Sequence, residues 1–278
     1  MTTLRRVLTV EQATKLVGNP VEPTEATITT PGVFRDADTD RPVFAYIPLP
    51  RPLVRSLRSA AIGSPITDVM RNANYATRSR TFGFRPRAAI NRQEGCSATG
   101  FARDDPWRES ILDAAAGELQ GIMVDTLGAE IVTADRERLS VIRPDWFLGE
   151  SNLWTSGVIN KSSRLPYHRD RFNFPTWSAM PVLRRGVSGG YLIIPEYGAV
   201  IECRDGHAVL FPGYDLVHGV SPMDIRAADG YRYSIVYYAL RGMKDCHTAA
   251  EETARARRVR SDRERKMARE LSQRSDAT

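Results

Sequence analysis

Two histidines and one aspartate have the types and the order of an open metal site. His168 and Asp170 are separated by one residue, and His218 follows further along the chain. Two imidazoles and one carboxylate can occupy one face of an octahedral ion and leave its other positions open, as in non-haem Fe(II) oxygenases. The three scattered cysteines do not form the cluster that a closed zinc site needs. We therefore predict that these three residues bind Fe(II), and that His207 and His247 do not.

A second pair of polar residues, downstream of the metal residues, has the chemistry of a carboxylate site. Arg232 and Ser234 lie in a segment rich in aromatic and β-branched residues, and in a strand their side chains point to the same face. A guanidinium is planar and can bind a carboxylate through two parallel hydrogen bonds. We expect this pair to anchor the distal carboxylate of 2-oxoglutarate, which would share the open positions of the iron with O2.

The elements that must position these residues are mainly short strands. Between about residues 139 and 242, apolar segments alternate with Gly, Pro and Asp turns, a pattern typical of a sandwich or jelly roll. A helix is predicted from Asp105, as its N-cap, to about residue 126. We expect an α+β fold with a double-stranded β-helix (jelly-roll or cupin-like) core and flanking helices. The predicted strands are residues 42–50, 153–160, 178–183, 190–194, 200–203, 208–211 and 231–240.

Charge and composition bear on the partners and the compartment. The formal net charge is +6, and all but four of the 39 basic residues are arginine, which favours an anionic partner such as nucleic acid. No apolar segment approaches the roughly 20 residues of a membrane span, and because no apolar region follows the early arginine pair we expect no secretory signal. We expect a soluble, intracellular protein in a reducing compartment, either cytoplasm or nucleus, without disulfides, membrane association or an obligate protein partner.

The metal residues lie in segments that resemble the TET/JBP family of DNA nucleobase dioxygenases. Residues 168–174, His-Arg-Asp-Arg-Phe-Asn-Phe, are similar to the family's His-Arg-Asp-x-x-Asn element. Residues 218–223 resemble its His-x-x-x-Pro step, and residues 232–238 resemble its closing strand of Arg-x-Ser followed by hydrophobic and aromatic residues. Residues 192–197, which lie between the two metal segments, resemble the family's strand before the turn. The resemblance covers about residues 80–242 and is most specific in the two metal segments.

This resemblance implies an Fe(II)- and 2-oxoglutarate-dependent dioxygenase that hydroxylates the 5-methyl group of 5-methylcytosine in DNA. It implies that Arg232 and Ser234 bind 2-oxoglutarate and that Asn160 is a further contact of this cosubstrate. Asn173 would hydrogen-bond the target base and Tyr238 would stack on it. Because a methyl group inside a stacked duplex cannot reach the metal, the base must be flipped or single-stranded. Candidate phosphate contacts are Arg78, Arg80, Arg85 and Arg87.

Two departures from the pattern of the animal enzymes leave the base open. Leu240 stands where those enzymes have a histidine that contacts methylcytosine, and their Cys-rich zinc region is absent. The alternative is the same chemistry on thymine in DNA, giving 5-hydroxymethyluracil, or on a small-molecule or protein substrate. A third hypothesis is a non-catalytic DNA-binding β-sandwich, and the complete metal set together with Arg232 argues against it.

The chain is predicted to have three parts. Residues 1–70, rich in Pro and Thr, form an N-terminal extension, and residues 71–246 form the Fe(II)/2-oxoglutarate dioxygenase domain. Residues 247–278 are a charged, basic C-terminal helix or tail. Several Glu and Arg residues in this tail are three or four positions apart, so we interpret it as a solvated helix rather than a dedicated nucleic-acid arm.

Overall fold

The computed structural model describes residues 2–71, 75–88 and 95–275. The strands are β1 (Thr2–Leu4), β2 (Gly32–Asp36), β3 (Pro42–Pro48), β4 (Thr67–Arg71), β5 (Tyr75–Arg85), β6 (Ser97–Ala98), β7 (Ser156–Lys161), β8 (Leu165–His168), β9 (Ser178–Arg185), β10 (Val187–Gly189), β11 (Leu192–Ile194), β12 (Ala199–Ile201), β13 (His207–Phe211), β14 (His218–Val220), β15 (Met223–Ile225) and β16 (Tyr231–Tyr238). The helices are α1 (Val10–Thr14), α2 (Arg51–Ala61), α3 (Gly100–Asp104), α4 (Pro106–Leu127), α5 (Ala129–Leu139) and α6 (Ala249–Ser275). Short 3-10 helices cover Pro144–Trp146, Pro195–Tyr197 and Arg241–Asp245.

The strands form one large sheet, one small sheet and a two-stranded ribbon. The large sheet has the order β1-β2-β3-β13-β9-β16-β7-β5-β4, with β6 paired to β5, and the small sheet has the order β12-β11-β14-β8. The ribbon pairs β10 with β15. Neighbouring strands are antiparallel except for β1 and β2. This is the predicted jelly-roll core with flanking helices, and each predicted strand overlaps an observed one.

The large sheet separates two hydrophobic cores, as the alternation of side chains along its strands requires. In β13, Ala208 and Leu210 face a core that is shared with α2, α4 and α5. Val209 and Phe211 face the opposite way, into a core between the large and the small sheet. The second core also contains Ile194 of β11. The metal residues lie at the edge of this inter-sheet core, so the two sheets position the site.

Helix α4 begins and ends where the local sequence predicts. The Asp105 side chain accepts a hydrogen bond from the backbone N–H of Arg108, and Pro106 occupies the first turn. Gly128, with a φ of 96°, ends the helix. The face that packs against the large sheet carries apolar residues at helical spacing. These buried residues are Leu112, Ala115, Ala116, Leu119 and Met123.

The segment predicted to be an N-terminal extension contributes strands to the large sheet. β3 pairs with β13 in the interior of that sheet, and β1 and β2 continue its edge. Phe44 and Tyr46 of β3 are fully buried in the inter-sheet core. At the other end, α6 is a long charged helix, and no helix in the described ranges is apolar and long enough to cross a membrane.

The expectation of a chain without disulfides is wrong. Cys96 and Cys246 are bonded, with their Cα atoms 5.9 Å apart, and only Cys203 is free and buried. The Glu252 carboxylate of α6 lies beside the bond and accepts hydrogen bonds from the backbone N–H groups of Cys96 and His247, each 2.9 Å long. The fold brings together two segments that are 150 residues apart. Such a pairing leaves no signature in cysteine spacing.

Candidate active site

The three predicted metal ligands meet at one end of the small sheet. His168 is the last residue of β8 and His218 is the first residue of β14, and the antiparallel register places them directly opposite each other. Asp170 lies in the turn after β8, where its backbone N–H donates to the Gly213 carbonyl at 3.0 Å. The strand register therefore brings together ligands from two distant segments of the chain.

The distances within this group suit a single ion. The Nε2 atom of His168 lies 3.7 Å from Oδ1 of Asp170, and the Nε2 atom of His218 lies 3.8 Å from Oδ2 of the same carboxylate. One ligand atom from each residue lies within 4.8 Å of the others. The sulfur-free set of two imidazoles and one carboxylate fits Fe(II) with open coordination positions.

Backbone carbonyls fix the orientation of both imidazoles. Nδ1 of His168 lies 2.8 Å from the Pro166 carbonyl oxygen, and Nδ1 of His218 lies 3.0 Å from the Leu216 carbonyl oxygen. Because a carbonyl can only accept, each Nδ1 carries the proton and each Nε2 presents its lone pair to the ion. Burial lowers the pKa of His218 to about 4, so its imidazole is neutral, as a metal ligand must be.

Sequence reasoning missed two features that support the ligands. A Cβ atom at Gly213 would lie 2.6 Å from Oδ2 of Asp170, so only glycine leaves room for this carboxylate. Arg169 and Glu196 form a buried ion pair next to the ligands. In the sequence, Gly213 belongs to an ordinary turn, and Glu196 is more than 20 residues from either metal segment along the chain, so neither gave a signal.

Arg232 and Ser234 lie on the same face of β16, as predicted, and Asn160 joins them from β7. Asn160 and Ser234 are register partners across the β7–β16 pair. Ser234, Val236 and Tyr238 all line the pocket that contains the metal ligands. The alternate residues of β16, including Tyr237, face the helical core. The strand therefore presents one polar, pocket-facing side and one apolar, core-facing side.

The inner end of this face has unsatisfied hydrogen-bonding groups. Arg232 is 1% exposed, and within the described chain its Nε and Nη2 atoms have no hydrogen-bond partner. The same holds for Oδ1 of the buried Asn160. Gly190 makes room for this arginine, because a Cβ there would lie 2.8 Å from the Arg232 Cδ atom. Burial lowers the pKa of the guanidinium, and a bound carboxylate would offset this cost. The Nε and Nη2 donors of Arg232 fit one carboxylate end of a dicarboxylic acid such as 2-oxoglutarate.

One pocket of about 470 Å³ is lined both by the three metal ligands and by the face of β16 that carries Ser234. Asn173 and Tyr238, the predicted base contacts, both line it. Asn173 is 8% exposed, and it forms an isolated bridge with Leu240, which also lines the pocket. Tyr238 is half-buried and faces this pocket, while Tyr237 occupies the core position. The structure thus places both candidates beside the metal group, and their roles stay predictions.

The other candidates lie apart from the metal group. Within the described residues, the metal-binding cluster includes neither His207 nor His247. Arg78, Arg80 and Arg87 form ion pairs with carboxylates of the chain, whereas Arg85 is exposed. A role for these arginines in phosphate binding stays a prediction.

Comparison with known proteins shows similarity at the level of the fold. No protein-family model and no curated protein matches the chain. NgTET1, solved in complex with 5mC DNA, superposes with a TM-score of 0.58 and 15% identity over 89% of this chain and 98% of the other. The chain shares the fold of NgTET1.

Two further solved structures are similar over a smaller part of the chain. An oxidoreductase of the 2OG-Fe(II) oxygenase family from Burkholderia pseudomallei has a TM-score of 0.45 and 16% identity, over 70% of this chain and 82% of that one. A Pseudomonas putida prolyl-4-hydroxylase has a TM-score of 0.45 and 15% identity, over 72% of this chain and 93% of that one.

Proposed function

We propose that this chain is an Fe(II)- and 2-oxoglutarate-dependent dioxygenase that hydroxylates the 5-methyl group of 5-methylcytosine in DNA. The observation that carries the proposal is the grouping of His168, Asp170 and His218 in a pocket that Ser234 also lines, with the buried Arg232 two residues before Ser234 on β16 and its Nε and Nη2 donors unsatisfied. When bound, iron and 2-oxoglutarate would supply the oxidising chemistry that transfers an oxygen atom from O2 to a C–H bond, with succinate and CO2 as coproducts.

The residues of the site would divide the work between the ion and the cosubstrate. His168, Asp170 and His218 hold the ion on one face, which leaves its other positions for cosubstrate and O2. Arg232 and Ser234 bind the distal carboxylate of 2-oxoglutarate and thereby orient the molecule along the pocket. This division would give the buried guanidinium of Arg232 a carboxylate partner.

The remaining part of the pocket supports a nucleobase as the substrate. The whole pocket, with about 470 Å³, lies in the range of small-molecule sites, which is roughly 300–1,000 Å³. Asn173 brings an amide that can donate to and accept from the edge of a base, and Tyr238 brings an aromatic ring that can stack on it. A base that has left the duplex stack is read by these two kinds of contact.

Thymine in DNA is the second candidate substrate, because one residue of the pocket does not discriminate between thymine and methylcytosine. Leu240 lines the pocket beside Asn173 and offers no hydrogen bond. It therefore cannot distinguish the amino group of methylcytosine from the carbonyl of thymine, and Asn173 must make that distinction if it is made.

A substrate panel tests the proposal. The protein is incubated with Fe(II), 2-oxoglutarate and O2 together with DNA that contains 5-methylcytosine, or with unmethylated DNA that contains thymine. Mass spectrometry of the nucleosides is expected to detect 5-hydroxymethylcytosine from the first DNA. Formation of 5-hydroxymethyluracil alone would mean that the substrate is thymine and not 5-methylcytosine. Iron-dependent succinate release with neither DNA oxidised would retain the chemistry and reject the DNA substrate. A lack of iron-dependent succinate release in every reaction would reject the enzymatic proposal.

A further inference from the structure

Phe172, which the proposed reaction does not use, is an unusually exposed aromatic residue at the metal site. Its exposed fraction is 82%, the highest among the large apolar residues in the described ranges. Isolated exposed apolar side chains are common on protein surfaces and usually have no role. Phe172 differs because it lines the mouth of the pocket and lies between the metal ligand Asp170 and the candidate base contact Asn173.

The backbone holds Phe172 in this exposed position. The N–H of Arg241 donates to the Phe172 carbonyl at 2.9 Å, and the N–H of Phe174 donates to the Ala239 carbonyl at 2.8 Å. The N–H of Asn173 donates back to the Asp170 carbonyl at 2.9 Å, which closes the turn of the metal ligand. Movement of the Phe172 backbone into the protein would therefore break these hydrogen bonds and the turn that carries Asp170.

Two exposed arginines are next to Phe172 along the backbone: Arg171 precedes it in the chain, and Arg241 donates its N–H to the Phe172 carbonyl. The guanidinium carbon of Arg171 lies 5.2 Å from the centre of the Tyr214 ring, and that of Arg241 lies 6.0 Å from the same centre. In the part of the chain that the structure describes, neither arginine pairs with a carboxylate. Arg171 and Phe172 line the pocket and Arg241 is hydrogen-bonded to the Phe172 backbone, so an exposed apolar ring and two exposed guanidinium groups occur together here. We call these residues the rim cluster (Arg171, Phe172 and Arg241).

We propose that Phe172 is a wedge that enters the DNA base stack when the target nucleotide leaves it, and that Arg171 and Arg241 bind the neighbouring phosphates. This inference rests on the proposed function, because it requires a nucleobase in the pocket. Extrusion of a base leaves a gap in the stack, and an inserted apolar side chain can fill it and keep the neighbouring bases apart. Guanidinium groups beside the wedge would position the backbone without reading its sequence.

The wedge makes a prediction that a purely structural role for Phe172 does not. A single-stranded substrate has no intact duplex stack to open, so the wedge should matter for duplex DNA alone. We therefore compare kcat/KM for one 5-methylcytosine strand, alone and in its duplex, in Phe172→Ala, Phe172→Leu and the control Trp107→Ala. Trp107 is an exposed aromatic residue on α4, 57% exposed and outside the pocket lining.

Phe172→Ala is expected to lower the ratio of duplex to single-strand kcat/KM at least about tenfold, because unstacking costs a few kcal/mol and about 1.4 kcal/mol corresponds to a factor of ten. Phe172→Leu should restore most of the ratio, and Trp107→Ala should leave it unchanged. An equal loss on both substrates, or no loss, would overturn the wedge while the proposed function stands.

A binding experiment separates failure of the wedge from failure of the proposed reaction. 2-Aminopurine at the target position of a duplex becomes more fluorescent when it leaves the stack. The wild-type protein should raise this fluorescence, Phe172→Leu should retain the increase, and Phe172→Ala should lose it under conditions in which fluorescence anisotropy shows the duplex bound. An increase that persists in Phe172→Ala overturns the wedge, even if neither DNA is oxidised. A wild-type protein that does not bind duplex DNA rejects the wedge together with its DNA partner.

The flanking arginines have a separate signature. Arg171→Gln and Arg241→Gln should each reduce the slope of log affinity against log salt by about one, with little dependence on sequence. Arg164→Gln, which removes an exposed arginine outside the pocket lining, serves as the control. If the slopes equalled that of the control, neither arginine would bind DNA phosphates.

Discussion

Arg169 and Glu196 form a buried ion pair behind the metal group, with Nη2 of Arg169 lying 3.3 Å from Oε1 of Glu196. The same carboxylate oxygen accepts a hydrogen bond of 2.9 Å from the backbone N–H of Val217, which precedes the ligand His218. Arg169 itself lies between the two ligands of the first segment. The side chains are 6% and 1% exposed. A single carboxylate thus connects both chain segments that supply the metal ligands.

The first prediction concerns this connection. Glu196→Gln keeps the shape of the side chain and one acceptor oxygen, but it leaves the buried charge of Arg169 without a charged partner, which costs up to about 3–5 kcal/mol. It also weakens the link between the two ligand segments, and loss of such supporting contacts commonly reduces metal affinity by about 10–100-fold. We expect lower stability in urea and weaker binding of Co(II), followed by its absorption spectrum as a substitute for iron.

Glu202→Gln is the matched control for this variant. Glu202 pairs with Arg204 at 2.7 Å, but both side chains are partly exposed, so the loss should cost at most about 1 kcal/mol. Co(II) affinity should be unchanged in the control. If Glu196→Gln bound Co(II) as tightly as the wild-type protein, the ion pair would have no role in positioning the ligands.

Local patterns in the sequence were sufficient to predict much of this architecture. The turn residues and apolar segments predicted the strands, and Asp105 with Pro106 predicted the start of α4, because each signal acts within a few residues. The grouping of His168, Asp170 and His218 was predictable because few residue types can bind Fe(II) and the chain has only four histidines.

Contacts between distant segments were beyond sequence reasoning. Glu196 is one of many glutamates until the fold buries it beside Arg169, and Gly213 is one of many turn glycines until Asp170 approaches it. The disulfide has the same origin, since the spacing of the cysteines does not show which of them meet. In each case the fold, rather than the local residue pattern, creates the property that matters.

The second prediction concerns the metal ligands. His168→Ala and Asp170→Ala each remove one of three ligands, so binding of Co(II) should be lost and turnover abolished. His207→Ala is the control, because His207 lies outside the metal cluster and its ring packs at 5.2 Å from that of Tyr46. Retained turnover in either variant would contradict the assignment of these residues as metal ligands.

The third prediction concerns Arg232. Arg232→Ala removes both hydrogen bonds that a bidentate guanidinium can make, so the 2-oxoglutarate concentration that gives half-maximal rate should rise at least about tenfold. Arg232→Lys keeps the charge but not the fork, and its requirement should lie between those of the wild-type protein and the alanine variant. Affinity for Co(II) should change little in both. An unchanged 2-oxoglutarate requirement would place the cosubstrate anchor elsewhere.

The fourth prediction concerns the bond between Cys96 and Cys246. It closes a long loop, and removal of such a bond typically lowers the free energy of unfolding by about 2–5 kcal/mol. The double variant Cys96→Ser/Cys246→Ser should therefore unfold at lower urea concentration than the oxidised protein. Reductant should lower the midpoint of the wild-type protein and leave that of the double variant unchanged. Alkylation of the unfolded, unreduced protein should label Cys203 alone, and labelling of all three thiols would contradict the pairing.

The fifth prediction concerns the pH dependence of stability and rests on Glu109 of α4. Its Oε1 atom accepts a hydrogen bond of 2.7 Å from the backbone N–H of Gly83, while Oε2 is buried and has no partner within the described residues. Burial raises the pKa of Glu109 to about 7, and nearby Asp113 contributes in the same direction against the hydrogen bond from Gly83. The folded protein therefore keeps this carboxyl protonated over a range in which the unfolded chain, with a pKa near 4.5, has lost the proton.

Because the folded state binds the extra proton, the contribution of Glu109 to stability is greatest below about pH 4.5 and falls as the pH rises to about 7. Glu109→Gln keeps a neutral side chain of the same shape and removes this titration. Relative to wild type, its free energy of unfolding in urea should therefore rise by on the order of 3 kcal/mol between pH 4.5 and pH 8. Glu118→Gln, an exposed position on the same helix, should show no such relative change. Parallel pH profiles for Glu109→Gln and wild type would mean that Glu109 is ionised in the folded protein, with water reaching its buried oxygen.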